Sequence, residues 1–284
     1  MDELQRLDLN DPIMVAAFEG WNDAADAASG VVDHLLDVWE TDLVAEMDAE
    51  DYYDFQVNRP VVSGGEDVER TITWPTTRVY CWRAPAGGRD LVLVRGIEPN
   101  LRWRTYCDEL LRIGQQFQVT LIVTLGALLA DTPHTRPIPV SGTSNDVALA
   151  ERLSLEQSRY EGPTGINGVF QEACRRAGIP AASLWAAVPH YVAQPPCPKA
   201  TMALLGHLEE VIQHPIPQGD LAEESRAWQR GVDELASEDS EIAEYVEALE
   251  EARDTSELPE ASGEAIAREF ERYLKRRQAG SGDA

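Results

Sequence analysis

The chain reads as an α/β protein: a mainly parallel, mixed sheet with helices on both faces, followed by an all-helical appendage. Three observations predict this. Short unbroken apolar runs recur at Met14–Phe18, Leu91–Val94, Val119–Leu125 and Leu184–Val188, the pattern of strands buried on both faces. Helix-like segments of ten or more residues separate them, as crossovers between parallel strands require. Strand patterning then stops at Pro215 and Pro217.

Taken in order, Met14–Phe18 is bounded by Pro12 and Gly20, and Asn22 or Asp23 is placed to cap a helix running to about Trp39, with Val31, Leu35 and Val38 on one face. Tyr52–Val57, Glu69–Trp74 and Arg78–Trp82 alternate like strands, with Gly64-Gly65 as a turn between the first two. The hairpin-like character of 69–82 is what makes the sheet mixed. Leu91–Val94 is a buried strand, Leu101–Phe117 a helix that Asn100 can cap, and Val119–Leu125 a strongly apolar strand. Gly165–Ala177 is a helix stopped by Gly178 and Pro180. Leu184–Val188 is the last strand, and Lys199–Gln213 a helix that starts behind Pro195, Pro196 and Pro198. From Gly219 three helical stripes follow: Leu221, Trp228, Val232 and Leu235; Ile242, Tyr245, Val246 and Leu249; Ile266, Phe270, Tyr273 and Leu274. The expected division is a sandwich over 10–215, a three-helix appendage over 219–277 and a disordered tail over 278–284.

The 284 residues carry a net charge of −26, unevenly placed. Residues 1–60 hold 16 acids and 2 bases, residues 220–262 hold 15 acids and 3 bases, and the stretch between is nearly neutral. Such a field repels phosphate backbones and anionic headgroups, so neither nucleic acid nor a membrane surface is an expected partner. It serves solubility, or attracts a basic protein. Cys81, Cys107, Cys174 and Cys197 lack CxxC spacing and read as reduced thiols of a cytoplasmic protein. The acidic, polar start MDELQRLDLNDP is not a signal peptide, and no apolar run approaches a membrane span.

Several strings resemble the bacterial branch of the proteasome assembly chaperone family of the second type. They are Phe18-Glu19-Gly20-Trp21-Asn22-Asp23-Ala24, Gly96-Ile97-Glu98-Pro99-Asn100, Leu125-Gly126-Ala127 through Pro133-His134-Thr135-Arg136-Pro137, Gly162-Pro163-Thr164-Gly165, and Val188-Pro189-His190-Tyr191. The resemblance covers about 13–215. It implies a three-layer α/β/α sandwich related to nucleoside phosphorylases, action without ATP, and homo-oligomers, with a trimer favoured from the phosphorylase-like relatives. Eukaryotic and archaeal members look like scaffolds for proteasome assembly; some bacterial members carry a loose label of carboxylate–amine ligase. Proteasome activators and assembly factors often end in hydrophobic–Tyr–any residue, whereas the final residues here are Gly282-Asp283-Ala284, so docking through that end is not expected.

In an open parallel sheet, ligands bind beyond the carboxyl ends of the strands. Those ends collect Glu19, Trp21, Asn22 and Asp23 after the first strand, and Glu98 and Asn100 after Leu91–Val94. They add Asp131, His134 and Arg136 after Val119–Leu125, and His190 and Tyr191 after Leu184–Val188. Gly162, Thr164 and Gly165 open a helix whose N-terminus could cradle an anion. His134, His190, Glu98 and Asp131 are the candidates for acid–base work; the others are candidate ligand-binding rim. Each also has a plainer reading as a cap, turn or contact surface. No HExxH, nucleophile elbow or dinucleotide fingerprint is present, so neither metal nor cofactor is expected. Two readings stay open. One is a non-catalytic oligomeric scaffold that binds itself, with another protein as a further candidate partner. The other is an enzyme (hydrolase, phosphorylase or carboxylate–amine ligase) on a nucleoside-like or carboxylate substrate. A cavity of several hundred Å³ holding His134 or His190 separates them.

Overall fold

A computed structural model describes residues 7–257 apart from 66–68, 86, 145, 154 and 156–159. The order is β1 (Ile13–Glu19), α1 (Ala27–Val38), β2 (Asp42–Glu46), α2 (Ala49–Tyr52), β3 (Val61–Ser63), β4 (Thr71–Thr73), β5 (Arg78–Trp82) and β6 (Leu91–Ile97). Then come α3 (Trp103–Gln116), β7 (Leu121–Ala130), β8 (Val140–Ser144), α4 (Val147–Leu153), α5 (Ile166–Ala177), β9 (Ala181–Pro189), α6 (Pro198–Ile212), α7 (Leu221–Glu238) and α8 (Ser240–Glu257).

Seven strands form one sheet in the order β2-β5-β6-β1-β7-β9-β8. The four apolar runs are its parallel centre: β1 pairs with β6 and β7, and β7 with β9. β5 and β8 flank this centre antiparallel, and β2 pairs antiparallel with β5. Successive side chains of a strand point to opposite faces, so β1 feeds two cores. Ile13, Val15 and Ala17 pack with Val31 and Leu35 of α1 and Leu204 and Leu208 of α6. Met14, Ala16 and Phe18 pack with Tyr106 and Leu110 of α3 and Phe170 of α5. The result is the α/β/α sandwich expected, with a mainly parallel mixed sheet and C-terminal helices.

The edges depart from expectation. Tyr52–Val57 is not a strand: Asp48 accepts from the Glu50 N–H at 3.0 Å and starts α2, and Tyr52 and Tyr53 are buried side by side. The Tyr53 hydroxyl donates to the Ile97 carbonyl at 2.9 Å, so the alternation marked anchors on a loop. Gly64, at φ +122, turns β3 into β4 instead, in a two-stranded sheet of its own. β4 and β5 therefore do not form the hairpin expected over 69–82. Asn100 does not cap α3. Arg102 holds that position, while Asn100 Oδ1 accepts from the Asp54 N–H at 2.9 Å and Asn58 Nδ2 at 2.8 Å. The edge strands β2 and β8 lacked a signal, being exposed or Ser/Gly/Thr-rich.

α7 packs on α6, with Leu221 and Val232 buried; in α8, Val246 is buried. The third stripe, Ile266 to Leu274, and the tail 278–284 lie outside the described residues.

Candidate functional site

The carboxyl ends of β1, β6, β7 and β9 share one side of the sheet, and the rim there divides into two clusters. The first ties three loops together. Asn22 Nδ2 donates to Glu98 Oε1 at 2.8 Å, and the Ile166 N–H, first in α5, donates to the same oxygen at 2.8 Å. The Ala127 N–H donates to the Asn22 carbonyl at 2.8 Å. A Cβ added at Gly165 would lie 2.3 Å from Asn22 Nδ2, so only glycine lets α5 start here. The N-terminus of α5, which the sequence offered to an anion, is occupied by the chain's own carboxylate. Thr164 Oγ1 lies where a side chain on Gly168 would fall, and Gly162 stays exposed on the preceding loop.

Asp23 is 4% exposed. Its Oδ1 accepts from the N–H groups of Ala28 at 2.7 Å and Ser29 at 3.2 Å, stitching the start of α1. Its Oδ2 has no hydrogen-bond partner among the described residues. Burial pushes its carboxyl up to about 6, and hydrogen bonds from Ser29 and Ala28 offset that only in part. The two residues at the turn into α1, Ala25 and Asp26, take φ of +53° and +54°, a left-handed conformation unfavourable outside glycine. Glu19 pairs with Arg95 at 2.7 Å, and Arg95 also clasps Asp33. Trp21 stands exposed.

The second cluster lies further out, because β7 runs past Ala127 to Ala130, roughly 10 Å more at strand rise. His134, 1% exposed, is its centre. The Tyr191 hydroxyl accepts from the His134 N–H at 2.7 Å and lies 2.7 Å from Nδ1, while Nε2 lies 3.0 Å from Asp233 Oδ1 of α7. One proton arrangement satisfies all three: Tyr191 O–H donates to Nδ1 and Nε2–H donates to Asp233. Burial lowers the His134 pKa, and Asp233 partly opposes that. The Lys199 ammonium donates to the His134 carbonyl and, at 2.8 Å, to Gln229 Oε1. Around this core His190 Nδ1 sits 3.3 Å from Asp131 Oδ1, which the Tyr245 hydroxyl also reaches at 3.2 Å. The rings of His190, Tyr191 and Tyr245 meet edge-on. Arg136 grips Asp254 through two bonds of 2.9 and 2.8 Å, and Glu250 at 3.3 Å.

All the rim candidates thus fall on one side of the sheet, but the two histidines do not join Glu98 in a common pocket. Asp131, His134, Arg136 and His190 receive α7 and α8; Asn22, Glu98 and Gly165 lock the inner loops. Asp233, Tyr245, Glu250 and Asp254 were not legible as partners, since some hundred residues separate them from the loop they hold. A cavity of about 570 Å³ lies elsewhere, lined by Asp33, His34, Arg95, Thr201, Gly219 and Glu224 among others, without His134 or His190. Among the described residues no three His, Cys, Asp or Glu side chains are grouped to hold a metal.

Solved structures carry the same architecture. A PAC2 family protein from Streptomyces avermitilis is 62% identical, covering 83% of this chain and 100% of its own, with a TM-score of 0.78. A proteasome-assembly chaperone homologue from Mycobacterium tuberculosis is 54% identical, covering 82% of this chain and 99% of its own, with a TM-score of 0.76. An archaeal proteasome activator from Pyrococcus furiosus, 18% identical over 82% of this chain and 96% of its own, shares the fold with a TM-score of 0.64. No curated protein matches. The PAC2 family model matches residues 17–236, from the end of β1 into α7, which takes in the first rim cluster and the second as far as Asp233 but not the α8 residues, and the chain belongs to the PAC2 family.

Proposed function

We propose that this protein is a homo-oligomeric, assembly-chaperone-like scaffold that works by binding protein without catalysis or cofactor. The observation that carries this is the state of His134. Both ring nitrogens are engaged, one with Tyr191 and one with Asp233, and α7 and α8 bond to the outer cluster around it. A general base must come within reach of a proton on the substrate; His134 is buried, and here the polar groups fasten helices. The 54% identical relative is described as a proteasome-assembly chaperone homologue, which favours proteasome subunits as the protein bound. A trimer is the favoured assembly and the cytoplasm the favoured compartment; four buried free thiols agree with the latter. We read residues 10–215 as the binding body and 219–277 as a helical appendage, of which the described helices α7 and α8 buttress the rim.

The test mixes the purified protein with unassembled proteasome α and β subunits from the same source and follows particle formation by size-exclusion chromatography. Acceleration together with a stable complex is expected. If neither occurs, and a thermal-shift screen of nucleosides, nucleotides, amino acids and divalent metals instead gives a shift abolished by His190→Ala, the enzyme reading replaces this one.

A further inference from the structure

Helix α8 is fastened to the rim by polar groups rather than by a core. Neither hydrophobic core includes a side chain of α8, and among its described side chains only Val246 is buried. Its bonds to the rim come from Tyr245, Glu250 and Asp254. The Tyr245 hydroxyl donates to Asp131 Oδ1 at 3.2 Å, and its ring meets those of His190 and Tyr191 edge-on at 5.4 and 5.9 Å. Glu250 accepts from the Thr135 hydroxyl and pairs with Arg136 at 3.3 Å, and Asp254 takes the same guanidinium through two bonds. Exposed ion pairs contribute little each and are screened by salt. An element held this way opens at far lower cost than the sandwich itself.

The junction suits such opening. Asp239 alone separates α7 from α8, with extended backbone at φ −122° and ψ 111°, so rotation at one residue swings the whole of α8. The Asp239 side chain accepts from the Glu241 N–H at 2.9 Å, and this cap lets the helix keep its start wherever it lies. The family match also stops at residue 236, before α8, whereas Asp131, Thr135, Arg136, His190 and Tyr191 lie inside it. The receiving surface therefore belongs to the shared body, and the helix seated on it is an addition to that body.

The helix seated there defines the chemistry this surface accepts. α8 carries seven acids and one base. Glu250 and Asp254, four residues apart, share one face of it and meet Arg136, which comes from the nearly neutral middle of the chain. Tyr245 supplies the aromatic contact. We propose that α8 is a releasable strap: it fills, from within the same chain, a docking site made of Thr135, Arg136, His190 and Tyr191, and that site accepts an acidic, tyrosine-bearing helix of the protein partner once α8 swings out. This rests on the protein-binding reading given above and adds the surface used and its gate.

A tethered helix competes at a local concentration in the millimolar range, so the strap must be loosened before a second helix is seen. The probe is a fluorescein-labelled synthetic peptide of sequence 240–257, followed by anisotropy at micromolar protein. Full-length wild type is expected to bind it weakly. Full-length protein carrying Tyr245→Ala, Glu250→Lys and Asp254→Lys, all outside both cores, should bind it at least about ten-fold more tightly. Adding Arg136→Glu should remove that gain. Equal binding by wild type and the loosened variant, or binding that survives Arg136→Glu, overturns the proposal. Should the loosened variant fail to fold, hydrogen exchange on the wild type decides. Amides of 240–257 should exchange about ten-fold or more faster than those of α6, and speed up together when salt rises from roughly 50 to 500 mM while α6 is unchanged. Exchange in α8 as slow as in α6, or indifferent to salt, overturns the strap equally. None of these readouts involves proteasome subunits, so the strap and the scaffold reading fail separately.

Discussion

Replacing Asp23 by asparagine should change how the stability of this protein depends on pH. Asp23 is 4% exposed, and burial lifts its carboxyl from an ordinary 3.8 to about 6. A shift of about two units is worth about 3 kcal/mol in full. The sign follows from proton uptake. Between 3.8 and 6 the folded chain holds the Asp23 proton more tightly than the unfolded chain does. Stability therefore rises as pH falls through that window, and the contribution is absent above it, where both states are ionised. The isoelectric point near 4.4 confines measurements to pH 5 and above, where about 1 kcal/mol of the total is realised. Asparagine keeps an oxygen for the N–H groups of Ala28 and Ser29 and does not titrate. Urea unfolding at pH 7.5, 6 and 5 should therefore show the wild type gaining about 1 kcal/mol on Asp23→Asn toward pH 5. The remaining carboxylates are common to both proteins and cancel. Parallel pH profiles for the two would refute the argument and mean that Asp23 is not held in a poorly solvated site.

Three further outcomes are expected. Glu98→Ala strips the acceptor from both Asn22 Nδ2 and the Ile166 N–H and should destabilise by about 2 to 3 kcal/mol, with Glu98→Gln at about 1 kcal/mol, since one neutral oxygen remains; equal losses from the two variants in denaturant titrations would contradict a charge-assisted bond. His134→Ala removes a buried ring and its bonds to Tyr191 and Asp233, for about 2 to 4 kcal/mol, and should speed proteolysis within 221–257 more than elsewhere. Asp233→Ala should have little added effect once His134 is gone, and additivity of the two in a double-mutant cycle would rule out the contact.

The centre of the sandwich was legible because it depends on local pattern. A strand buried on both faces must be apolar throughout, so β1, β6, β7 and β9 announce themselves, and parallel strands need long crossovers, so the helices between them follow. That these strands are parallel neighbours is also enough to bring Glu98, His134 and His190 to one side of the sheet. The edges were not legible, because a strand exposed on one face or built from Ser, Gly and Thr has no apolar run; hence β2 and β8 were missed, and buried tyrosines at 52 and 53 imitated a strand.

What the rim residues do was decided by tertiary structure alone. A histidine after a strand is the same letter whether it faces a substrate or a helix. Only the packing of α7 and α8, about a hundred residues downstream, puts Asp233 on His134, Tyr245 on Asp131 and Asp254 on Arg136. Likewise Glu98 reads as a free carboxylate until the fold brings the first N–H of α5 to within 2.8 Å of it. Sequence by itself determined which edge of the sheet collects polar groups, since strand direction follows from connection length. It could not determine which groups find partners, because pairing between distant elements depends on where whole helices settle, and that is set by the summed burial of their apolar stripes rather than by any motif.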